Sequence, residues 1–322
     1  MEAAPFLSLA PQAVGPTRCW WIKAADGVRL RAALWETPGA VAHAVYLTGR
    51  TEFIEKAAIP AAALQARGYS VISLDWRGQG LSDRLASPRL KGHVNDFAEF
   101  QLDLDALLAD PETARLPGPR LLVGHSMGGN ISVSALARPE ITETLTAAVL
   151  SAPMLRISMK TPIRLIARAT VFLARLTGRL DRWPPLRNVA TTYVLSEPEE
   201  NLLTHDKEVW DWMVATAKAH PDVTLAMPTL GWFEAANAEI ARHGTHPAPK
   251  LPVMCMLGGA EAVVDPQAIR SWSQRAGAEL LDIPDARHEL FIEAESIRQQ
   301  AWQGIDAFLE KNGLPSGVAH TE

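Results

Sequence analysis

Short, nearly continuous apolar runs at 41–47, 69–74, 120–123 and 147–150 alternate with longer segments at 53–66, 97–108 and 127–136, where apolar residues recur every third or fourth position. A strand that is apolar along its whole length has no face to offer water, so it must be covered on both sides. Helices between such strands supply the cover, and right-handed crossovers then give a doubly wound, mostly parallel α/β sheet. Ahead of it, 19–23 and 28–35, joined by Ala25-Asp26-Gly27, read as an antiparallel hairpin at the sheet edge. The rhythm stops after Pro153. Residues 155–247 carry helical spacing, proline pairs and four tryptophans (Trp183, Trp210, Trp212, Trp232), but no convincing strand. Runs at 251–257 and 280–283, with helices near 266–276 and 293–311, resume the pattern. The expected organisation is an α/β core built from 1–154 and 251–322, interrupted by a helical cap at 155–250.

Composition narrows the partners. The 322 residues include 31 Lys and Arg against 36 Asp and Glu, a net charge of −5, which offers no field to collect nucleic-acid phosphates. Cys19 and Cys255 cannot build a disulfide framework, and Cys255, inside the apolar run Val253-Met254-Cys255-Met256-Leu257, reads as a packed thiol. The start, Met1-Glu2-Ala3-Ala4-Pro5, lacks the basic and apolar regions of a signal peptide, and no stretch near the length of a spanning helix is free of charge. A reducing cytoplasm is the expected compartment.

The sharpest chemical signal is Val123-Gly124-His125-Ser126-Met127-Gly128-Gly129, where a strand runs through Gly-x-Ser-x-Gly into a helix of small residues. Such a turn holds Ser126 in strained backbone with its hydroxyl exposed, Gly124 and Gly128 leave room for neighbouring backbone, and the Met127 amide points into the site. A serine alcohol needs a base. Of nine histidines, His288 is best placed, in a loop after the last strand. His125 is the variable residue of the turn, and His320 lies in the tail. His243-x-x-His246 lacks a further Cys or His to complete a metal site, so it reads as a surface loop.

The acid that orients His288 should follow the strand after the cap, where Gly258-Gly259-Ala260-Glu261-Ala262-Val263-Val264-Asp265-Pro266 offers Glu261 and Asp265. Asp265 before Pro266 makes a good helix N-cap, which favours Glu261 as the acid. The second oxyanion donor should come from Thr48-Gly49-Arg50-Thr51-Glu52. Here Gly49 permits the backbone shape that turns the Arg50 amide inward to pair with that of Met127, while the Arg50 side chain reads as surface. Asp75-Trp76-Arg77-Gly78-Gln79-Gly80-Leu81-Ser82-Asp83 is suited to shaping a turn rather than to reacting.

Taken in order, Gly49-Arg50-Thr51-Glu52, Asp75-x-Arg77-Gly78-x-Gly80-x-Ser82, Gly92-His93-Val94, Gly124-His125-Ser126-Met127-Gly128-Gly129, Glu261-x-Val263-Val264-Asp265 and Ala286-x-His288-Glu289 resemble the α/β-hydrolase family of the lysophospholipase and monoacylglycerol lipase type, the serine-aminopeptidase-like hydrolases. The order serine, acid, histidine is the one such a fold uses. The resemblance places the nucleophile on Ser126, the base on His288, the acid on Glu261 and the oxyanion amides on Arg50 and Met127. Thr48 stands where a His is common, and Glu261 where Asp is commoner. It implies a serine carboxyl-ester hydrolase acting on a monoacyl lipid such as a lysophospholipid or monoacylglycerol, without metal or organic cofactor. A short-chain esterase or peptidase would keep the same triad, and a silent ligand-binding relative is the reading from another class. Ser126 speaks against the Asp-nucleophile dehalogenases and epoxide hydrolases of this fold.

The expected cap is split in charge. Between 156 and 187 there are eight basic residues and one acid, Asp181; between 197 and 239 there are nine acids against Lys207 and Lys218. Arg164, Arg168, Arg175 and Arg179 fall on one helical stripe, with Ile163, Leu165, Ile166, Val171, Phe172, Leu173 and Leu176 around the remainder. Such a helix can lie on an anionic membrane surface, giving peripheral contact. The preferred alternative is a packed cap helix, its apolar face inward and its arginines in water or paired with the acidic half.

Overall fold

The computed structural model describes residues 1–186, 189–195 and 201–316. Arg187, Glu197, Glu199, Glu200 and His320, used in the charge and histidine arguments above, lie outside the described residues. Eight strands form one sheet: β1 (Arg18–Lys23), β2 (Arg29–Trp35), β3 (Ala42–Leu47), β4 (Tyr69–Asp75), β5 (Arg120–His125), β6 (Ala147–Ser151), β7 (Val253–Gly258) and β8 (Glu279–Ile283). Their spatial order is β1-β2-β4-β3-β5-β6-β7-β8. The hairpin β1/β2 and the β2/β4 pair are antiparallel, and every later pair is parallel.

This order fixes where a site can form. From β3 the chain steps to β4 on one side, then crosses back over β3 to β5 and proceeds through β6, β7 and β8 on the other. Right-handed crossovers therefore put α1 (Ile54–Gln65) on one face and α2 (Ala98–Ala109) and α4 (Met127–Ala135) on the opposite face, with the short α3 (Pro111–Ala114) and α5 (Pro139–Thr142) in the connections. Between β3 and β5 the connections depart in opposite directions, which opens a crevice at the carboxyl ends of those two strands. Strands β3, β4 and β6 are buried at every residue, as double cover requires.

A buried ion cluster that the apolar pattern could not announce locks the sheet to α1. Arg31 of β2, fully buried, donates from Nε to Asp75 Oδ2 at 2.7 Å and from both terminal nitrogens to Glu55, at 2.9 and 2.8 Å. Asp75 also accepts the amides of Ile54 and Leu81, both at 2.8 Å. One carboxylate thus sets both the start of α1 and the turn after β4, and a side chain at Gly80 would collide with it.

Between β6 and β7 the chain runs through α6 (Thr161–Leu176), a 3-10 turn at Tyr193–Leu195, α7 (Lys207–Ala219), a second at Pro221–Val223, and α8 (Leu230–Arg242). Two further helices, α9 (Pro266–Ala276) and α10 (Glu295–Lys311), complete the core, and α10 is tied to the turn after α1 by an Arg67–Asp306 pair at 2.6 Å. Helix α6 departs from the expected packing. Val171 and Ala174 are its buried residues and meet Leu230 of α8, whereas Ile163, Leu165, Ile166, Phe172, Leu173 and Leu176 are all exposed. The reason lies in the arc: at about 100° per residue, Val171 shares its side of the helix with the arginines. Arg175 pairs with Glu234 of α8 at 3.0 Å, and Arg164 and Arg168 border the same groove. Val171 and Ala174 pack beside the arginine edge, and the apolar face is turned outward.

Candidate active site

Strand β5 delivers Ser126 into the crevice. Its φ of 52° and ψ of −113° are strained for a residue with a side chain, and the neighbouring glycines explain how the turn is tolerated. A Cβ at Gly128 would run into the Leu47 carbonyl of β3, and one at Gly124 into Ser132 Oγ. The Ser126 carbonyl accepts from Asn130 and Met154, and its amide donates to Ser151, so both sides of the turn are pinned.

The structure brings Ser126, His288 and Glu261 together. His288 Nε2 lies 2.9 Å from Ser126 Oγ, and His288 Nδ1 lies 2.7 Å from Glu261 Oε2. The other Glu261 oxygen accepts the amides of Val263 and Val264 at 2.7 and 3.0 Å, which fixes the carboxylate toward the ring. Burial alone would raise the Glu261 carboxyl, but His288 and these amides outweigh it and hold it below its ordinary range. Asp265 stands at the start of α9, accepting Gln267 and Ala268 amides at 2.9 and 3.2 Å, with Arg156 at 3.3 Å. It caps a helix and does not reach the ring. The His288 loop is fastened from above, because the amides of His288 and Glu289 donate to the carbonyls of Leu202 and Leu203, at 3.4 and 2.9 Å. Ser126 is 9 % exposed and His288 3 %.

After β3, the loop through Arg50 is held by side chains rather than by its own backbone. Glu52 accepts the Gly49 amide. Gln79 accepts the Thr51 amide at 2.9 Å and donates to the Gly49 carbonyl at 3.2 Å. The left-handed residue is Thr51, with φ 68°, and not Gly49. What marks position 49 is tight space rather than the expected turn: a Cβ there would lie 3.2 Å from both Glu52 and the His125 ring. Among the described residues the Arg50 amide has no acceptor, and the Met127 amide is the first of its helix, where no intrahelical partner exists.

Two readings need correction. The Arg50 side chain is not a surface group: it is half-buried, donates to the Ala226 carbonyl at 2.8 Å and lies 5.0 Å from the Trp232 ring centroid. Burial pushes its guanidinium down to about 9. His243 is likewise no surface loop residue but is buried at the end of α8, 3.2 Å from Ser134 Oγ, where burial pushes it down to about 3.

Sequence reasoning missed the group that ties these loops together. Lys56 of α1 pairs with both Glu52 and Glu289, and His125 Nε2 lies 3.3 Å from Glu289 and 3.9 Å from Glu52. The His125 ring stands 4.9 Å from that of His288. All four are buried. Glu52, His125 and Glu289 bring ligand atoms within 4.8 Å of one another, a geometry that suits a cation, and the Lys56 ammonium is the cation bonded to both carboxylates. The Glu52–Lys56 spacing, four apart, was the available signal, but such pairs usually sit in water.

Residues 39–295 match the family model described as serine aminopeptidase, S33, and the chain belongs to that family. It is 29 % identical over 299 residues to lysophospholipase L2 of Escherichia coli, covering 86 % of this chain and 83 % of that protein. Over 268 residues it is 28 % identical to a protein of Haemophilus influenzae described as a probable lysophospholipase L2, covering 82 % of each. The crystal structure of a soluble variant of monoglyceride lipase from Saccharomyces cerevisiae superposes with a TM-score of 0.71 at 19 % identity, covering 94 % of this chain and 98 % of that one. The fold is the α/β-hydrolase fold.

The His125 environment sets a pH dependence. Burial would lower its pKa, yet Glu289 and Glu52 outweigh burial and raise it above 6.5. A folded-state value above the unfolded one contributes stability that is complete below about 6.5 and is lost as pH rises through the folded value. The melting-temperature gap between wild type and His125→Gln should therefore be widest in acid and narrow as pH rises. A gap independent of pH would contradict this assignment.

Proposed function

We propose that this chain is a serine carboxyl-ester hydrolase acting on monoacyl lipids, with a lysophospholipid or monoacylglycerol as substrate. The observation that carries the reading is the unbroken line from Ser126 Oγ through His288 to Glu261, at 2.9 and 2.7 Å. His288 takes the Ser126 proton as Oγ attacks the ester carbonyl, and Glu261 steadies the imidazolium that forms. The Arg50 and Met127 amides receive the developing oxyanion. His288 returns the proton to the leaving alcohol, and water then hydrolyses the acyl-enzyme by the same route in reverse. The lipid half of the reading is supported by the lysophospholipase names of relatives that span most of this chain. A peptidase, suggested by the family description, would use the same atoms on an amide.

Residues 155–250 are proposed to act as the cap over this site. Here the outward apolar face of α6 favours the membrane reading over the packed one. Leu165, Ile166, Phe172 and Leu173 are each more than half exposed, and Arg164, Arg168, Arg175 and Arg179 flank them. Such a surface enters the headgroup boundary and feels anionic lipid at roughly 1 kcal/mol per basic residue. No described helix is long and apolar enough to cross a membrane.

Two measurements test this section. Lysophosphatidylcholine, monoacylglycerol and p-nitrophenyl esters of rising chain length should all be cleaved by wild type, with activity increasing with chain length and absent in Ser126→Ala. Glu261→Gln should lose about 10³–10⁴-fold in kcat, and Asp265→Asn little. Activity confined to the shortest esters, or to amides, would remove the lipid substrate. Separately, wild type should co-sediment with phosphatidylglycerol vesicles at low salt and be partly released by high salt, while Leu165→Ser/Phe172→Ser should bind weakly. No wild-type binding at low salt would remove the membrane contact.

A further inference from the structure

Buried guanidinium groups in this protein are generally given carboxylates. Arg31 has Glu55 and Asp75, Arg77 has Asp103 and Asp26, and Arg298 has Glu295 and Asp206. This is what the cost of burying an uncompensated charge demands. Arg50 and Arg84 depart from this, but the three bonds of Arg84 to the carbonyls of Arg89, Ser82 and Asp222 occupy its Nε and both terminal nitrogens, whereas Arg50 makes a single bond. Its recorded partners are a carbonyl, Ala226 O at 2.8 Å, and the face of Trp232, neither of which neutralises it. Its Nε is fully enclosed without a hydrogen-bond partner. Nη1 makes no hydrogen bond among the described residues and is not fully enclosed. Among the described residues no carboxylate acts on it: burial is the one influence on its pKa, which it pushes down to about 9, still charged at neutral pH. Gly92 lets the guanidinium and Leu225 pack against the backbone, since a Cβ there would stand 3.3 Å from Arg50 Nη2 and 2.6 Å from Leu225.

We propose that the Arg50 guanidinium binds the phosphate of the substrate, so that the site reads a monoacyl lipid bearing a phosphodiester. The inference rests on the lipid-ester reading above and names the head group within it. The position suits the task. The Arg50 amide is the proposed oxyanion donor, so its side chain starts at the reacting carbonyl, and in a lysophospholipid a short glycerol arm separates that carbonyl from the phosphate. A phosphate oxygen would supply the countercharge that the protein withholds, through charge-assisted bonds of the kind guanidinium forms with phosphate. Monoacylglycerol offers only neutral hydroxyls there, and a neutral acceptor repays less of the desolvation.

The test compares kcat/KM for palmitoyl lysophosphatidylcholine and monopalmitoylglycerol in wild type, Arg50→Lys and Arg50→Met. The ratio is the readout, because any shift of the residue 50 amide slows both substrates alike and cancels. Wild type should favour the phospholipid, Arg50→Met should lose about tenfold or more of that preference, and Arg50→Lys should keep part of it. Equal ratios in wild type and Arg50→Met, with both lipids cleaved, overturn the inference and leave the lipid hydrolase standing. Cleavage of p-nitrophenyl butyrate but of neither lipid overturns the lipid reading and this assignment together. Inorganic phosphate serves as a second arm on p-nitrophenyl butyrate hydrolysis. Inhibition that vanishes in Arg50→Met while the lipid ratio is unchanged would assign the guanidinium to free phosphate and overturn the head-group role.

Discussion

Lys56 lies between Glu52 and Glu289, and through that one ammonium three distant parts of the chain are held at a common centre. Glu52 fastens the Gly49 amide and with it the loop carrying the Arg50 amide. Glu289 is the residue after His288, and His125 is the residue before Ser126. The loop after β3, the Ser126 turn and the His288 loop are thus each tied to one buried ionic cluster, in addition to their backbone contacts. Removing one partner of such a buried pair typically costs about 3–5 kcal/mol, because the other charge is left in the interior unpaired. Two carboxylates against one ammonium leave an excess negative charge that a protonated His125 would balance, which is why the carboxylates raise its pKa despite burial.

Such a cluster also shows what can be seen in a sequence and what cannot. Strands β3 to β7 were legible because each had to be covered on both faces, and an apolar run with no polar face has few other uses. Asp265 was legible because a side chain ahead of Pro266 caps its own helix, a contact confined to a few residues. Glu289 was not, since its partner Lys56 lies 233 positions away, and neither residue looks different from a solvated charge until the fold closes. Gly49 was read as serving a backbone shape, whereas its φ is not left-handed and the position is crowded by Glu52 and His125. In α6 the spacing revealed two faces but not which of them would meet α8, because the buried contact of Val171 and Ala174 is with Leu230, far along the chain.

The helical segment over the crevice is coupled to the site at several points. The carbonyls of Leu202 and Leu203 hold the His288 loop, the Ala226 carbonyl takes the Arg50 side chain, and Thr229 meets His93 at 2.8 Å. Ser126 and His288 are consequently almost enclosed, a setting in which fixed amide dipoles act strongly on developing charge. The same segment presents an unpacked apolar face outward on α6. Under the proposed function, this layer would seal the reacting groups on its inner side and offer apolar surface to lipid on its outer side.

The central claim is that the strained Ser126 is activated by His288 and Glu261. Reaction with a fluorophosphonate, followed by intact mass and peptide mapping, asks this directly, because the reagent needs an activated serine and no knowledge of substrate. The account predicts a single adduct on Ser126 in wild type and none in Ser126→Ala. An unreacted wild type, or an adduct on another serine, would contradict it.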